Sequence, residues 1–364
     1  MYKVNIFGAG SIGNHLAHAF RGKNWDVTLS DIDPKALERT KNDIYKSRYG
    51  AWDEKIRLAD SREIMNDPAD IVFIGTPPHT HMQIALSVLK NFTPKILLIE
   101  KPLCGPDLNQ CQELYEAIKS QKVTALVGYN HTLAKSAVQM EEFIKKGTIG
   151  SIETISCRTR EHWGGIFKAH PWLNGPQDTY LGFYEKGGGA TGEHSHGINL
   201  WQHFSHIVGQ GKIIEVNATL DIQKNGGSLY DKLGIASFRT EKGIVGDLIQ
   251  DVVTNPPEKL ARVQGSDGFA EMRINYNSEG DAVITSDKNT VPIVTIIPKK
   301  RPDDFKCEAD HIEELLASKT SASPISIERG LDTMMIIAAI FKSHASKRTV
   351  EIDWTKGYVP EAIK

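Results

Sequence analysis

The first residues able to do recognisable chemistry stand near the N-terminus, in the run Gly8-Ala9-Gly10-Ser11-Ile12-Gly13. Glycines at these spacings meet three separate demands of a bound pyrophosphate. Gly8 permits a tight turn, Gly10 lets the backbone approach the phosphates, and Gly13 lets a helix pack on the preceding strand. Ser11 and Ile12 open that helix and offer unpaired N–H groups and a positive dipole end to negative charge. Asp31 then ends the next apolar stretch. A carboxylate there suits the adenosine ribose hydroxyls and repels a 2′-phosphate, so the pattern favours NAD over NADP. Arg39, the nearest downstream cation, lies inside a helical pattern and is badly placed to read a phosphate.

A second concentration of reactive groups is Gly187-Gly188-Gly189-Ala190-Thr191-Gly192-Glu193-His194-Ser195-His196-Gly197-Ile198-Asn199. The His-x-His spacing raises a zinc site, because alternate residues share one face of a strand. No third ligand of clear spacing accompanies the pair, and no metal is expected. Glu193 and His196 stand three apart and would share a face if the segment is helical.

These groups need elements to hold them. Up to about residue 130 short apolar runs alternate with helical patterns. Val4–Phe7, Val27–Ser30, Asp70–Gly75, Ile96–Ile99 and Val123–Val127 read as strands. Ile12, Leu16 and Phe20 recur at helical spacing, Asp33-Pro34 caps a helix over 35–46, and further helices fall at Thr80–Leu89 and around Leu114. Strands apolar throughout and alternating with helices imply a parallel sheet covered on both faces. After a helix near 135–146 the texture changes to strand-like segments: Ile152–Thr159, Ile213–Leu220, Leu229–Arg239 and Ile244–Val252. Helical patterns return at Asp304–Ser318 and Glu328–Ser343. The expected architecture is an α/β Rossmann dinucleotide-binding domain over 1–130. An α+β domain with a large, mostly antiparallel open sheet follows over 131–364, its C-terminal helix able to pack back on the first domain.

Composition narrows the partners. The 364 residues carry a formal charge of −2, with 40% apolar and 24% charged residues, enough for two cores and no reason to expect nucleic acid. The four cysteines, Cys104, Cys111, Cys157 and Cys307, form no Cys-x-x-Cys pair, which fits a reducing compartment. The longest apolar run, Met334 to Phe341, falls far short of the ~20 residues that cross a bilayer. No cleavage site follows the opening strand pattern, so the expected location is cytoplasmic.

Two further motifs follow strands: Gly75-Thr76-Pro77-Pro78-His79-Thr80-His81 and Glu100-Lys101-Pro102. With the glycine turn, Gly128-Tyr129-Asn130 and the C-terminal Pro324-Ile325-Ser326-Ile327-Glu328-Arg329-Gly330-Leu331, the chain resembles the family of glucose–fructose oxidoreductase, inositol dehydrogenase and MocA. The resemblance covers essentially the whole chain. It implies a nicotinamide-dependent oxidoreductase acting on a sugar, nucleotide-sugar or polyol, with the active site between the two domains, a cis Lys101–Pro102 bond, and a homodimer or homotetramer. Loops at the carboxyl ends of parallel strands surround the ligand crevice of such folds, so Thr76, Pro77, His81, Glu100, Lys101 and Asn130 join the glycine turn and Asp31 as expected NAD contacts.

In this family a glycine run precedes an Asp, a His four residues later and a second Asp three beyond. Here anchoring on the glycines places Glu193 at the first acid position, whereas anchoring on His196 places Gly192 there and Asn199 at the second. The expected catalytic set is Lys101, His196 and Glu193, with His194 as the alternative to His196. His131 and Thr132 follow Asn130, where the family often shows Arg. The long segment from Arg158 to Lys186 carries Arg160, His162, Trp163, Lys168, His170, Trp172, Tyr180 and Tyr184. A loop of that length and aromatic content usually carries function. Arg160, Trp163 and Trp172, with Lys101 and His196, are the candidates for holding substrate; packing of the aromatics against their own sheet is the competing reading. Two other functions share the same fold: a non-catalytic NAD(H) sensor, and an enzyme that uses NAD transiently for elimination or epimerisation.

Overall fold

A computed structural model describes residues 1–168, 172–288, 290–318 and 322–364. The chain forms two compact units. The first comprises Met1–Leu103, Gln110–Asn130 and Arg301–Gly330, and the second Cys104–Asn109, His131–Lys300 and Leu331–Lys364.

In the first unit the order is β1 (Lys3–Phe7), α1 (Ser11–Gly22), β2 (Asp26–Asp31), α2 (Pro34–Arg39), α3 (Tyr45–Tyr49), β3 (Arg57–Asp60), α4 (Ser61–Ile64), β4 (Ile71–Ile74), α5 (Pro78–Asn91), β5 (Ile96–Ile99), α6 (Cys111–Gln121) and β6 (Thr124–Val127). The strands pair in parallel in the order β3-β2-β1-β4-β5-β6, the arrangement of a dinucleotide-binding domain. β4 and β5 are buried at every residue, as strands covered on both faces must be. The helix expected over 35–46 divides instead into α2, a π-helical turn at Thr40–Ile44, and α3. The segment from Arg301 to Gly330, placed in the second domain by sequence, groups with this unit. Its Phe305 stacks on His15 of α1, Lys23 pairs with Asp310 and Glu313, and Val127 donates its N–H to the Ile325 carbonyl.

The second unit is built on α7 (Lys135–Lys145), β7 (Ile152–Arg160), α8 (Gly164–Lys168), α9 (Gly189–Glu193), α10 (His196–Ile207), β8 (Ile213–Asn225), β9 (Ser228–Thr240), β10 (Val245–Asp251), β11 (Glu258–Gly265), β12 (Phe269–Asn277), β13 (Gly280–Ser286) and β14 (Ile293–Pro298). A short β15 (Val350–Glu351) completes a nine-stranded sheet in the order β14-β13-β12-β11-β7-β10-β9-β8-β15. Among the described residues only the β7–β10 pair of this sheet is parallel; the other ladders are antiparallel. α10 packs its apolar side on this sheet. Trp201, fully buried, donates its indole N–H to the Ile155 carbonyl and meets Phe238 edge to face.

Candidate active site

The glycine turn joins β1 to α1. Gly8 takes φ +105°, and a Cβ there would stand 2.6 Å from the Gly75 carbonyl oxygen. At Gly13 a Cβ would stand 2.0 Å from the Gly8 oxygen, so the helix sits directly on the turn. Gly10 faces open space, with nothing within 4 Å of the place its Cβ would take, which is room for a diphosphate. Side chains hold the turn. Asp31 Oδ2 accepts the Ala9 N–H at 2.9 Å, Thr40 Oγ1 donates to the Ala9 carbonyl at 2.6 Å, and Asn14 Nδ2 donates to the Gly10 carbonyl at 2.9 Å. Arg48 reaches Ser11 twice, Nη1 to the carbonyl at 2.9 Å and Nη2 to Oγ at 2.8 Å. Burial, then the Arg48 and Arg301 guanidiniums and His18, holds the His15 imidazole neutral by lowering its pKa to about 3. Thr40 opens the π-helical turn, an element that often marks a functional place. Asn14, Thr40 and Arg48 were not singled out by sequence. Their signal was a buried polar residue on the apolar face of α1 and an unexplained break in the next helix.

Thr76 and Pro77 lead from β4 into α5, and Glu100-Lys101-Pro102 follows β5. The fully buried His81 spans the two loops, with Nε2 2.6 Å from the Thr76 carbonyl and Nδ1 3.2 Å from that of Pro102. Burial lowers this imidazole to about 4, so the neutral ring donates to one carbonyl at a time. In that position His81 braces the loops that carry Thr76 and Lys101. The Lys101–Pro102 peptide is cis. Glu100 lies over the end of β6, where a Cβ on Gly128 would meet Glu100 Oε2 at 2.3 Å. Asn130, nearly buried, begins the 3-10 turn Asn130–Leu133.

In the second unit the glycine-rich run forms α9 and leads into α10. Gly189 has φ +77° and lies against Asp231 of β9. Asp231 Oδ2 accepts both the Thr191 N–H and the Thr191 hydroxyl, each at 2.7 Å, and so clamps the first turn of α9. The His194 carbonyl accepts from Gln250 Nε2, and a Cβ on Gly197 would stand 2.6 Å from Thr159 Oγ1, so the start of α10 is seated on β7 and β10. Glu193 ends α9, His194 caps it, and His196 opens α10. Glu193 and His196 therefore stand on successive helices rather than on one face of a single helix. Glu193 accepts from the Tyr180 hydroxyl at 3.4 Å, whereas the His196 ring stacks on that of His131. Asn199 accepts from Thr132 Oγ1 at 2.7 Å and donates to Thr333 Oγ1 at 3.2 Å.

Asp231 escaped the sequence reading, although a lone acid in the apolar alternation of a strand is a signal. Burial, opposed by the two Thr191 bonds, raises its pKa to about 7. A raised folded-state value stabilises the fold below the ordinary carboxylate range, and that contribution disappears as pH rises from about 4 to about 7. Asp231→Asn, which imitates the protonated acid, is therefore expected to flatten the fall in Tm across that interval. Asp231→Ala leaves two buried donors without their acceptor and should cost about 1–3 kcal/mol. Thermal unfolding at pH 5 and 7.5 checks both; an unchanged pH slope in Asp231→Asn removes the argument.

The candidates for substrate contact divide. Arg160 donates from Nε to Asp251 Oδ2 at 2.6 Å and approaches Glu258 at 3.5 Å. Trp163 is 6% exposed and packs with Leu181, Ala190 and Val252 against Phe167 and Tyr230. Trp172 is 40% exposed. His170 lies outside the described residues. No group of three His, Cys, Asp or Glu side chains able to hold a metal occurs among the described residues, and no helix there is long and apolar enough to cross a membrane.

Comparison with known proteins agrees with this geometry. Residues 2–129 match the family model described as an oxidoreductase family with an NAD-binding Rossmann fold. The chain is 25% identical over 164 residues to the uncharacterized oxidoreductase YrbE of Bacillus subtilis (strain 168), covering 43% of this chain and 44% of that relative, under half of its length. It is 22% identical to scyllo-inositol 2-dehydrogenase (NADP(+)) IolW of the same organism, over 96% of both chains. The solved structure of levoglucosan dehydrogenase in complex with NADH and levoglucosan has the same fold, with a TM-score of 0.77 and 19% identity over 96% of this chain and 98% of that one. With the glycine turn, Asp31 and the parallel sheet fitted to NAD, residues 2–129 form the NAD-binding domain of the Gfo/Idh/MocA oxidoreductases.

Proposed function

We propose that this protein transfers a hydride between NAD and a hydroxyl-bearing carbon of a sugar, nucleotide-linked sugar or polyol. The observation that carries the reading is how the two proton-handling groups are held. Lys101 stands on a loop braced by buried His81, and His196 opens a helix whose approach is clamped by Asp231. When bound, NAD supplies or accepts the hydride. Lys101 donates hydrogen bonds to the substrate oxygen as negative charge develops on it. His196, whose imidazole can both accept and donate a proton, takes the hydroxyl proton in oxidation and returns it in reduction. Glu193 is the acid proposed to orient that ring. The names of two relatives, scyllo-inositol 2-dehydrogenase and levoglucosan dehydrogenase, support a substrate rich in hydroxyl groups. The deciding experiment is a panel of free and nucleotide-linked sugars and polyols, scored by NADH absorbance and by product analysis. NADH formation supports the reading. Product without net NADH, on a protein that retains its cofactor, means transient oxidation followed by elimination or epimerisation. NAD binding with no turnover of any panel member means a sensor.

Cofactor choice follows from Asp31, whose Oδ1 accepts the Asp33 N–H at 3.0 Å while Oδ2 holds Ala9. The carboxylate is thus fixed beside the turn. NAD is expected to bind at least ~10-fold more tightly than NADP, equivalent to about 1.4 kcal/mol. Asp31→Ala should narrow that gap, mainly by weakening NAD, since it also removes the Ala9 anchor. Calorimetric titration with both cofactors checks this, and equal affinities in the unaltered protein would refute it.

A further inference from the structure

His131 occupies the position after Asn130, within the turn Asn130–Leu133. Its imidazole lies face to face with that of His196, ring centroids 4.0 Å apart and planes 25° from parallel. Neighbouring bonds fix this pair. Thr132, the next residue, donates to Asn199, which stands one helical turn beyond His196, and Asn199 donates in turn to Thr333. All three of these residues are buried. The turn that carries His131 is therefore tied to the helix that carries His196.

We propose that His131 is a positioning residue of this site: it sets the plane of the His196 ring, and within the stack the second imidazole becomes charged only well below the pH at which the first does. The proposal rests on the reading of His196 as the proton carrier. A neutral ring stacks comfortably on a neutral or a charged one, whereas two imidazolium rings at 4.0 Å repel strongly in a partly desolvated setting. The pair then loses its protons in two separate steps that belong to both rings together. The other ionisable groups on the elements packed around α10 are largely engaged elsewhere. On the sheet, Arg160 pairs with Asp251 and Glu258, and Arg158 with Glu258. On α7, Glu141 faces His203, farther along α10. On α9, Glu193 accepts from Tyr180; His194, the C-cap residue, is buried two residues before His196. The consequence for the reaction is a base that stays neutral beside a neutral neighbour and becomes the sole charged ring when it receives the hydroxyl proton.

The test needs no substrate. The full-length protein is labelled at histidine with ¹³C and ¹⁵N, and the ring signals are titrated by NMR from pH 5 to 9. His196→Asn and His131→Phe supply the assignments. In the unaltered protein the His196 signal should carry a ring-current shift, and the two rings should titrate in steps about one pH unit or more apart. His131→Ala should remove the ring-current shift. His131→Phe should restore it while collapsing the His196 titration to a single ordinary step. A His196 curve that superimposes on the unaltered one in both variants, or the absence of any ring-current shift, overturns the proposal. Two coupled steps in a protein whose turnover survives His196→Asn would leave the stack standing and remove instead the assignment of His196 as proton carrier.

Discussion

Lys101→Met is expected to leave folding and NAD binding intact while lowering turnover by about 10²–10³-fold, the usual loss for a donor aimed at developing charge. The methionine keeps the length and apolar stem of the lysine and removes only the ammonium, and His81 still braces the loop through the Thr76 and Pro102 carbonyls. His196→Asn should lower turnover by about 10²–10⁴-fold and flatten the pH–rate profile on the side where an imidazole titrates. Glu193→Gln should cost less, because an acid that orients the ring does not itself carry the proton. The order of these losses separates the readings. Steady-state rates on a turned-over panel sugar, with cofactor affinity as the control, decide the matter. If neither Lys101→Met nor His196→Asn slows hydride transfer, the site is wrongly assigned. If His194→Asn costs more than His196→Asn, the proton passes to the first histidine of the pair.

The parts of the molecule legible in the sequence are those where one physical demand dominates a short stretch. β4 and β5 are covered on both faces, so they contain only Ile, Val, Leu and Phe and could be read directly. The glycine turn was legible because each glycine answers a separate steric need. β3 was missed because it is an edge strand, half-exposed, and carries Arg57 and Asp60 among its four residues. β11 and β12 were missed because their partly solvated face is charged. Glu271 accepts from Arg262 across the ladder and from Arg273 two residues along its own strand, and such pairs erase an apolar alternation. Long-range juxtapositions left no local trace at all. Nothing in the spacing of His131 and His196, or of Phe305 and His15, says that their rings lie in contact. The helix that ends at Glu193 is held in its first turn by Asp231, a residue of a later strand. The break at Thr40 likewise serves a contact with Ala9 on the other side of β2.

Gly13→Ala is expected to weaken NAD binding by at least ~100-fold, about 2.7 kcal/mol, and to destabilise the first unit by about 1–3 kcal/mol, as overpacking in a fixed site does. The added Cβ would lie 2.0 Å from the Gly8 oxygen and 3.4 Å from Leu29 Cδ1. Gly8 has little freedom to retreat, since its N–H is bound to the Ser30 carbonyl at 2.8 Å and its Cα is pressed against Gly75. The residue after it is held at both ends, by Asp31 and by Thr40. The helix must move instead, and α1 is anchored through Leu16, Ala17 and Phe20, all fully buried. Lifting it disturbs the core and carries the first-turn N–H groups away from the diphosphate. Gly10→Ala provides the contrast. Gly10 has φ −77° and ψ −165°, which any residue adopts, and its missing Cβ faces open space. That substitution should change stability by under ~1 kcal/mol, because no atom need shift and the position lies outside the helix proper. It should still weaken NAD, because a methyl group would stand where the backbone admits a phosphate. Thermal unfolding paired with calorimetric NAD titration distinguishes the two glycines. An equal loss of Tm in both variants would mean that the open face of Gly10 is not reserved for a ligand.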